Sequence, residues 1–307
     1  MNREPLVSVV MSVRNGECTL RDSVGSVLSQ EGIELEFIIV DDGSTDASGA
    51  ILDELAARDS RIRVVHQANT GLTRALIRGC AMARGAYIAR QDCGDLSLPG
   101  RFLTQLPLMD ANPGAALASC GTRIVGPKGE HLYDVAIPPG EATALLRADV
   151  ASRVRGPWHG SAVFRRDFYQ RVGGYREEFY FAQDLDLWTR LAAHAEHVVS
   201  PAVLYQASFT PGSISGAHRR RQEQCKRLIV ECAARRRAGL DERELLERAS
   251  RIVPGRQRGG RYEVAAASYF IGMCLRARGD ARARDYFQAA LRANPLHVKS
   301  FLRLALT

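Results

Sequence analysis

The order of apolar runs predicts an α/β fold, a mostly parallel central sheet flanked by helices and followed by an α-helical segment. Three observations carry that expectation. Apolar runs of strand length alternate with stretches of helical periodicity over the first hundred residues, as in a parallel sheet covered on both faces through right-handed crossovers. The chain of 307 residues is long enough to bury roughly three-quarters of its unfolded surface without disulfide staples. From about residue 213 the alternation gives way to Arg-rich helical patterning.

The elements follow in order. "LVSVVMSV" (6–13) is a near-continuous apolar run, as a strand buried on both faces requires. Thr19 stands where a helix cap belongs, ahead of Leu20, Val24, Val27 and Leu28 at helical spacing. "LEFIIV" (35–40) is a second buried strand ending at "DDGSTD" (41–46), followed by a helix over 46–58, a strand "RIRVVH" (61–66), a helix over about 70–84 and a strand "AYIAR" (86–90). A further helix opens near Pro99. Beyond it, 115–137 reads as two strands around a Gly-Pro-Lys-Gly turn, "GSAVFRR" (160–166) as a strand, 183–195 as a helix, and "VVSPAVLYQ" (198–206) as an edge strand because of Pro201.

The C-terminal part divides from the rest by charge as well as pattern. The net charge of +8 is uneven: residues 218–307 hold 21 basic and 9 acidic side chains, the first 217 hold 21 and 25. In 218–239, Cys225, Leu228, Ile229 and Cys232 fall on one helical face. Residues 261–295 read as a helical hairpin turning at Gly279-Asp280, with spacing that resembles a single tetratricopeptide repeat. One repeat cannot bury its own face, so it is expected to pack on the main domain or on a second chain as a homo-oligomer contact. The expected division is a domain over 1–215 and a basic helical extension over 216–307.

Several classes are disfavoured. No run approaches the roughly eighteen apolar residues of a membrane-spanning helix, and the start lacks a signal-peptide pattern. The seven scattered cysteines contain no C-x-x-C pair, which points to a reducing, cytoplasmic compartment. There is no G-x-G-x-x-G after the first strand, no P-loop and no G-x-S-x-G elbow, against dinucleotide redox enzymes, P-loop ATPases and serine hydrolases. His194 and His197 lack further ligands at zinc spacing and are expected to be exposed or capping. Aromatic side chains are sparse in 218–260, which disfavours specific nucleic-acid recognition. Arg219–Arg221 and Arg235–Arg237 read as a solvated helix face, with peripheral contact to anionic lipid at the inner face of a membrane as the minor alternative.

The residues able to do chemistry are acidic. Asp41/Asp42/Asp46, Asp92/Asp95 and Asp184/Asp186 fall at expected strand ends or ordered loops. At the carboxyl ends of neighbouring parallel strands, the first two clusters can converge on one cleft. Oxygen ligands there suit Mg²⁺ or Mn²⁺ bound with a diphosphate. The plainer alternative is that Asp41–Asp46 forms a turn and Asp46 caps the next helix.

Taken together, "VSVVMSVRNGECTLRDSVGSVLSQ", "FIIVDDGSTD", "NTGLTRAL", "RGAYIARQDCGDLSLPGRF", "HGSAVFRRDFYQRVGGY" (159–175), "DLDLWTRL" (184–191) and "PGSIS" (211–215) resemble the inverting family 2 glycosyltransferases of the GT-A fold, over roughly the first 215 residues. The resemblance implies transfer of a sugar from a nucleotide-diphospho-sugar donor, a UDP-sugar foremost, to a glycan or lipid-linked acceptor. It implies nucleotide contacts at Ser12, Arg14, Asp42 and Asp92, with Arg14 standing where an aromatic is usual. Acceptor contacts fall on His159, Gly160 and Ser161, the general base on Asp184, and a divalent metal (Mn²⁺ or Mg²⁺) on Asp92 and Asp95. The chain departs from the family pattern at several places. D-C-G-D stands for D-x-D-D at 92–95, Gln183 for a Glu beside the base, Ile77 for a frequent Asn, and Ser208 and Thr210 for Arg and His. Gly94 admits two readings, a backbone open to the phosphates or a site that has lost metal affinity. The alternative function is a non-catalytic scaffold that docks partners through its helical tail.

Overall fold

A computed structural model of the protein describes residues 6–209, 219–254 and 260–305. Among these residues, nine strands form one mixed sheet in the order β3-β2-β1-β4-β8-β6-β9-β5, with β7 paired to β6. The strands are β1 (Val7–Val13), β2 (Leu35–Asp42), β3 (Ile62–Gln67), β4 (Tyr87–Arg90), β5 (Leu96–Ser97), β6 (Ala115–Val125), β7 (His131–Val135), β8 (Val163–Arg165) and β9 (Glu196–Ser208). The helices between them are α1 (Leu20–Leu28), α2 (Ser48–Arg58), α3 (Leu72–Ala81), α4 (Arg101–Asp110), α5 (Ala142–Leu146), α6 (Arg166–Arg171) and α7 (Gln183–Ala192).

The first half is the expected parallel unit. β1 pairs in parallel with β2 and β4, and β2 with β3. Strand β2 is buried throughout and β1 nearly so. Both faces are covered: Leu20, Val24, Val27 and Leu52 pack on one side, Leu76 and Cys80 on the other. Registry places Val13 beside Asp41 and Val10 beside Arg90, so the carboxyl ends of β1, β2 and β4 open at one edge of the sheet.

The second half mixes directions. β8 runs antiparallel to β4 and β6, while β9 runs parallel to β6. Pro201 does not confine β9 to pairing on one side only: the two residues of β5 pair along its outer edge at Tyr205 and Gln206. The proline sits opposite a register irregularity at Cys120/Gly121, where the missing N–H removes no regular ladder bond. Two further expectations are corrected. Thr19 precedes α1 but makes no side-chain cap; its hydroxyl lies 3.8 Å from the Cys93 sulfur instead. His197 is neither exposed nor capping: β9 buries it, and its Nε2 pairs with the Ser119 hydroxyl at 2.8 Å. Asp46 does hold the start of α2, accepting from the Ser48 N–H at 3.0 Å.

The C-terminal helices are α8 (Arg219–Arg237), α9 (Arg243–Ser250), α10 (Gly260–Ala277), α11 (Ala283–Ala293) and α12 (Val298–Ala305). They pack on the sheet domain. Cys225, Leu228, Ile229 and Cys232 of α8 meet Phe179 and Phe181, the face expected from their spacing. Ile271, Leu275 and Phe287 of the α10–α11 hairpin cover Cys120, Ile124, Tyr205 and Ala207. Ion pairs tie part of the basic surface down: Glu242 takes Arg176 at 2.5 Å and Arg236 at 2.8 Å, and Arg235 reaches Glu244 at 3.1 Å. The expected division near residue 215, with Thr210 and the 211–215 segment, lies outside the described residues. Among the described residues no helix is long and apolar enough to cross a membrane.

Candidate active site

The strand ends open into a cleft of about 1170 Å³. Ser12, Arg14, Asp42, Asp92, Asp95, His159 and Asp184 all line it, so the structure brings together residues from five separate stretches of sequence. Gly160 and Ser161 do not reach it. Both are buried beneath the wall: a Cβ on Gly160 would lie 1.9 Å from the Tyr205 phenol oxygen, and the Ser161 hydroxyl donates to the Trp158 carbonyl at 2.8 Å. Their expected contact with an acceptor is corrected to a packing role, because the chain turns inward there to seat Tyr205.

Asp42 is built into the neighbouring loop. Its Oδ1 accepts from Gln67 at 2.7 Å and from the Thr70 N–H at 2.8 Å, and its Oδ2 accepts from the Gly71 N–H at 2.8 Å. These bonds fold the 69–71 segment over the cleft edge. A carboxylate carries about four lone-pair positions, so Oδ2 keeps one for a further donor.

Arg90 organises the centre. It is fully buried, and its guanidinium donates to Asp92 Oδ1 at 2.6 Å, to the Val10 carbonyl and to His159 Nε2 at 3.2 Å. An arginine only donates, so Nε2 of His159 is an acceptor and the ring proton sits on Nδ1. Tyr175 also meets Nε2 at 2.8 Å. Burial, with the Arg90 charge beside it, holds His159 well below its usual range. It is therefore a neutral hydrogen-bonding group, not a base. Below this layer Arg101 is also fully buried, donating to the Arg90 carbonyl at 3.0 Å and to Ser97 at 2.8 Å.

The D-C-G-D loop is turned inward. The Asp95 Oδ2 accepts from the Tyr205 hydroxyl at 3.0 Å and its Oδ1 from the Ser208 N–H at 2.9 Å. Burial, then the nearby Asp92 charge, holds its carboxyl well above the usual range. Gly94 has φ +94°, in the region side-chain-bearing residues rarely adopt. Its N–H donates to Ser23 at 2.9 Å and its carbonyl accepts from Ser208 at 2.7 Å. The family resemblance implies a divalent metal on Asp92 and Asp95. These residues do not fit it: Asp95 is buried with each oxygen already accepting a hydrogen bond, Oδ1 of Asp92 is held by Arg90, and position 94 has no carboxylate. Among the described residues no three His, Cys, Asp or Glu side chains converge as a metal site.

Asp184 differs. Ala182, in the left-handed conformation at φ 57°, turns the chain into α7, and Asp184 lies in the first turn facing the cleft. Strain of this kind in a non-glycine residue is common at functional sites. No side-chain donor reaches its carboxylate among the described residues. Burial first, then the Asp92 charge, pushes its pKa up to about 6, against backbone hydrogen bonding at Leu185. Gln183, beside it, is buried.

Sequence reasoning missed Arg90, Tyr205, Trp188 and Lys226. Arg90 carried a signal, a charge ending an otherwise apolar strand. Lys226 carried none, since only the docking of α8 brings it to the cleft.

Comparison with known proteins bears on the family and the fold. The profile described as glycosyl transferase family 2 matches residues 8–173, and the chain belongs to that family of glycosyltransferases. It is 32% identical over 197 residues to the putative glycosyltransferase EpsE of Bacillus subtilis, covering 62% of this chain and 68% of that one. It is 44% identical over 188 residues to the uncharacterized glycosyltransferase EpsJ of the same organism, covering 59% of this chain and about half, 54%, of that one. Among solved structures, S. aureus TarS (residues 1–349) in complex with UDP-GlcNAc superposes with a TM-score of 0.57 at 15% identity, covering 94% of this chain and 83% of that one. The mannosyltransferase PcManGT from Pyrobaculum calidifontis, in complex with GDP-Man and Mn²⁺, gives 0.55 at 20%, covering 100% and 82%. At such identities the likeness shows the fold, a GT-A-like α/β sheet with flanking helices.

Proposed function

We propose that the protein is an inverting transferase that moves a sugar from a nucleotide-diphospho-sugar, a UDP-sugar foremost, to a hydroxyl of a glycan or lipid-linked acceptor. The observation that carries this reading is Asp184: a cleft-facing carboxylate with no side-chain donor, pushed to about 6, which suits a base operating near neutral pH. The acceptor hydroxyl gives its proton to Asp184. Its oxygen bonds the anomeric carbon from the face opposite the diphosphate, and that carbon's bond to the diphosphate oxygen breaks, leaving the electron pair on the nucleoside diphosphate. One displacement with one base gives inversion, and no covalent intermediate is needed.

The remaining roles follow from placement. Ser12, Arg14 and the Asp42-held loop 69–71 line the side where the nucleoside is assigned, and the Arg14 guanidinium can stack on a base. His159, neutral and fixed by Arg90, offers a hydrogen bond on the acceptor side. The UDP-GlcNAc complex of TarS supports a uridine donor as the first to test. Asp184→Asn is expected to cut transfer by about 10²–10⁴ while UDP binding by calorimetry stays unchanged. An Asp184→Asn variant with wild-type turnover would remove Asp184 as the base. A wild-type protein that binds none of UDP, GDP or dTDP would remove the donor class.

A further inference from the structure

A nucleoside diphosphate leaving an anomeric carbon gains charge that something in the cleft must offset. The acidic loop offers no divalent site in the arrangement described above. Gly94 does not supply the backbone alternative either, because its N–H is already given to Ser23. What the cleft does hold is cations without counter-ions. Arg14, Arg155 and Lys226 line it, and no carboxylate lies within ion-pair reach of any of them among the described residues. Glu223, one turn before Lys226, also lines the cleft but is exposed and unpaired with it. Arg14 and Arg155 are exposed, whereas Lys226 is half-buried on α8, the helix whose neighbouring Cys225 and Ile229 pack with Phe179 and Phe181. An ammonium that has lost part of its hydration and has no partner gains most from an arriving anion.

We infer that side-chain cations of the cleft, led by Lys226 of α8, neutralise the donor's diphosphate in place of a divalent metal. The C-terminal helical segment is then part of the donor site. Its charge arrives with the fold, and the tight metal ligand absent at position 94 is not required. The inference rests on the nucleotide-sugar reading above.

The test is UDP binding by calorimetry, with EDTA and then with millimolar Mn²⁺. Affinity is expected to agree within about threefold between the two media. Lys226→Ala is expected to weaken binding about tenfold in both, and Lys226→Arg to restore most of it. Thermal melting of each variant separates lost charge from lost fold. Two results overturn the inference alone: Mn²⁺ tightening UDP tenfold or more, or a folded Lys226→Ala variant that binds UDP as the wild type does. Absence of UDP binding in both media overturns the uridine-donor reading and this inference with it.

Discussion

Asp95 and Asp184 line the same cleft, and burial raises both carboxyls, yet they are built for different work. Asp95 ends in hydrogen bonds: the phenol of Tyr205 and the N–H of Ser208 hold its two oxygens and lock β9 onto the D-C-G-D loop. Asp184 faces the cleft in the first turn of α7, and among the described residues no side chain donates to its oxygens. A shifted pKa alone marks both as functional candidates. In the function proposed above, availability of the oxygen atoms separates a structural carboxylate from a reactive one.

Changing each aspartate to asparagine puts that contrast to a direct test. Asp184→Asn should cost about 10²–10⁴ in turnover, the range of a lost general base, measured with the donor that binds. Asp95→Asn keeps one acceptor oxygen, so the expected loss is of stability, about 1–2 kcal/mol in urea denaturation, with turnover within a few-fold of wild type. Equal losses of turnover in the two variants would erase the distinction.

Gly160→Ala sharpens the contrast from the structural side. The added methyl falls on the Tyr205 phenol, the same group that holds Asp95. A cost of about 1–3 kcal/mol from overpacking is expected in the same denaturation measurement. A variant as stable as wild type would show that Tyr205 is free to move and that Asp95 is less firmly held.

The pH profile gives a finer test. Asp184 works as a base only when ionised, so turnover should fall as pH drops through about 6 and level off above it. The expected limiting slope is about tenfold per pH unit on the acid side. A profile flat down to pH 5 would place the base elsewhere. The smallest effect concerns the tail: with Arg235 and Arg236 engaged in ion pairs, sedimentation with anionic vesicles should exceed that with neutral vesicles only slightly.

Much of this protein is legible in its residue pattern. The alternation of apolar runs specifies the parallel half of the sheet, because strands buried on both faces leave an uninterrupted apolar signature. Asp42, Asp92 and Asp184 stand out because a carboxylate at a strand or helix end is conspicuous against its neighbours. The single apolar face of α8 also reads directly from spacing and packs where that face requires. His197 misleads because a histidine in a β-strand looks polar in sequence, yet it is buried with its Nε2 paired to the Ser119 hydroxyl.

Sequence by itself determined the parallel strands of the first half, the acidic residues available to the cleft and the glycine at position 94. Those properties are local, set by periodicity and residue type. Only the tertiary structure decided which acids are free. Tyr205 and Ser208 lie more than a hundred positions from Asp95 along the chain. Lys226 reaches the cleft through the docking of a helix beyond the matched family region. Long-range partners of this kind carry no periodic signal, and they set the charge and the hydrogen-bonding capacity of the site.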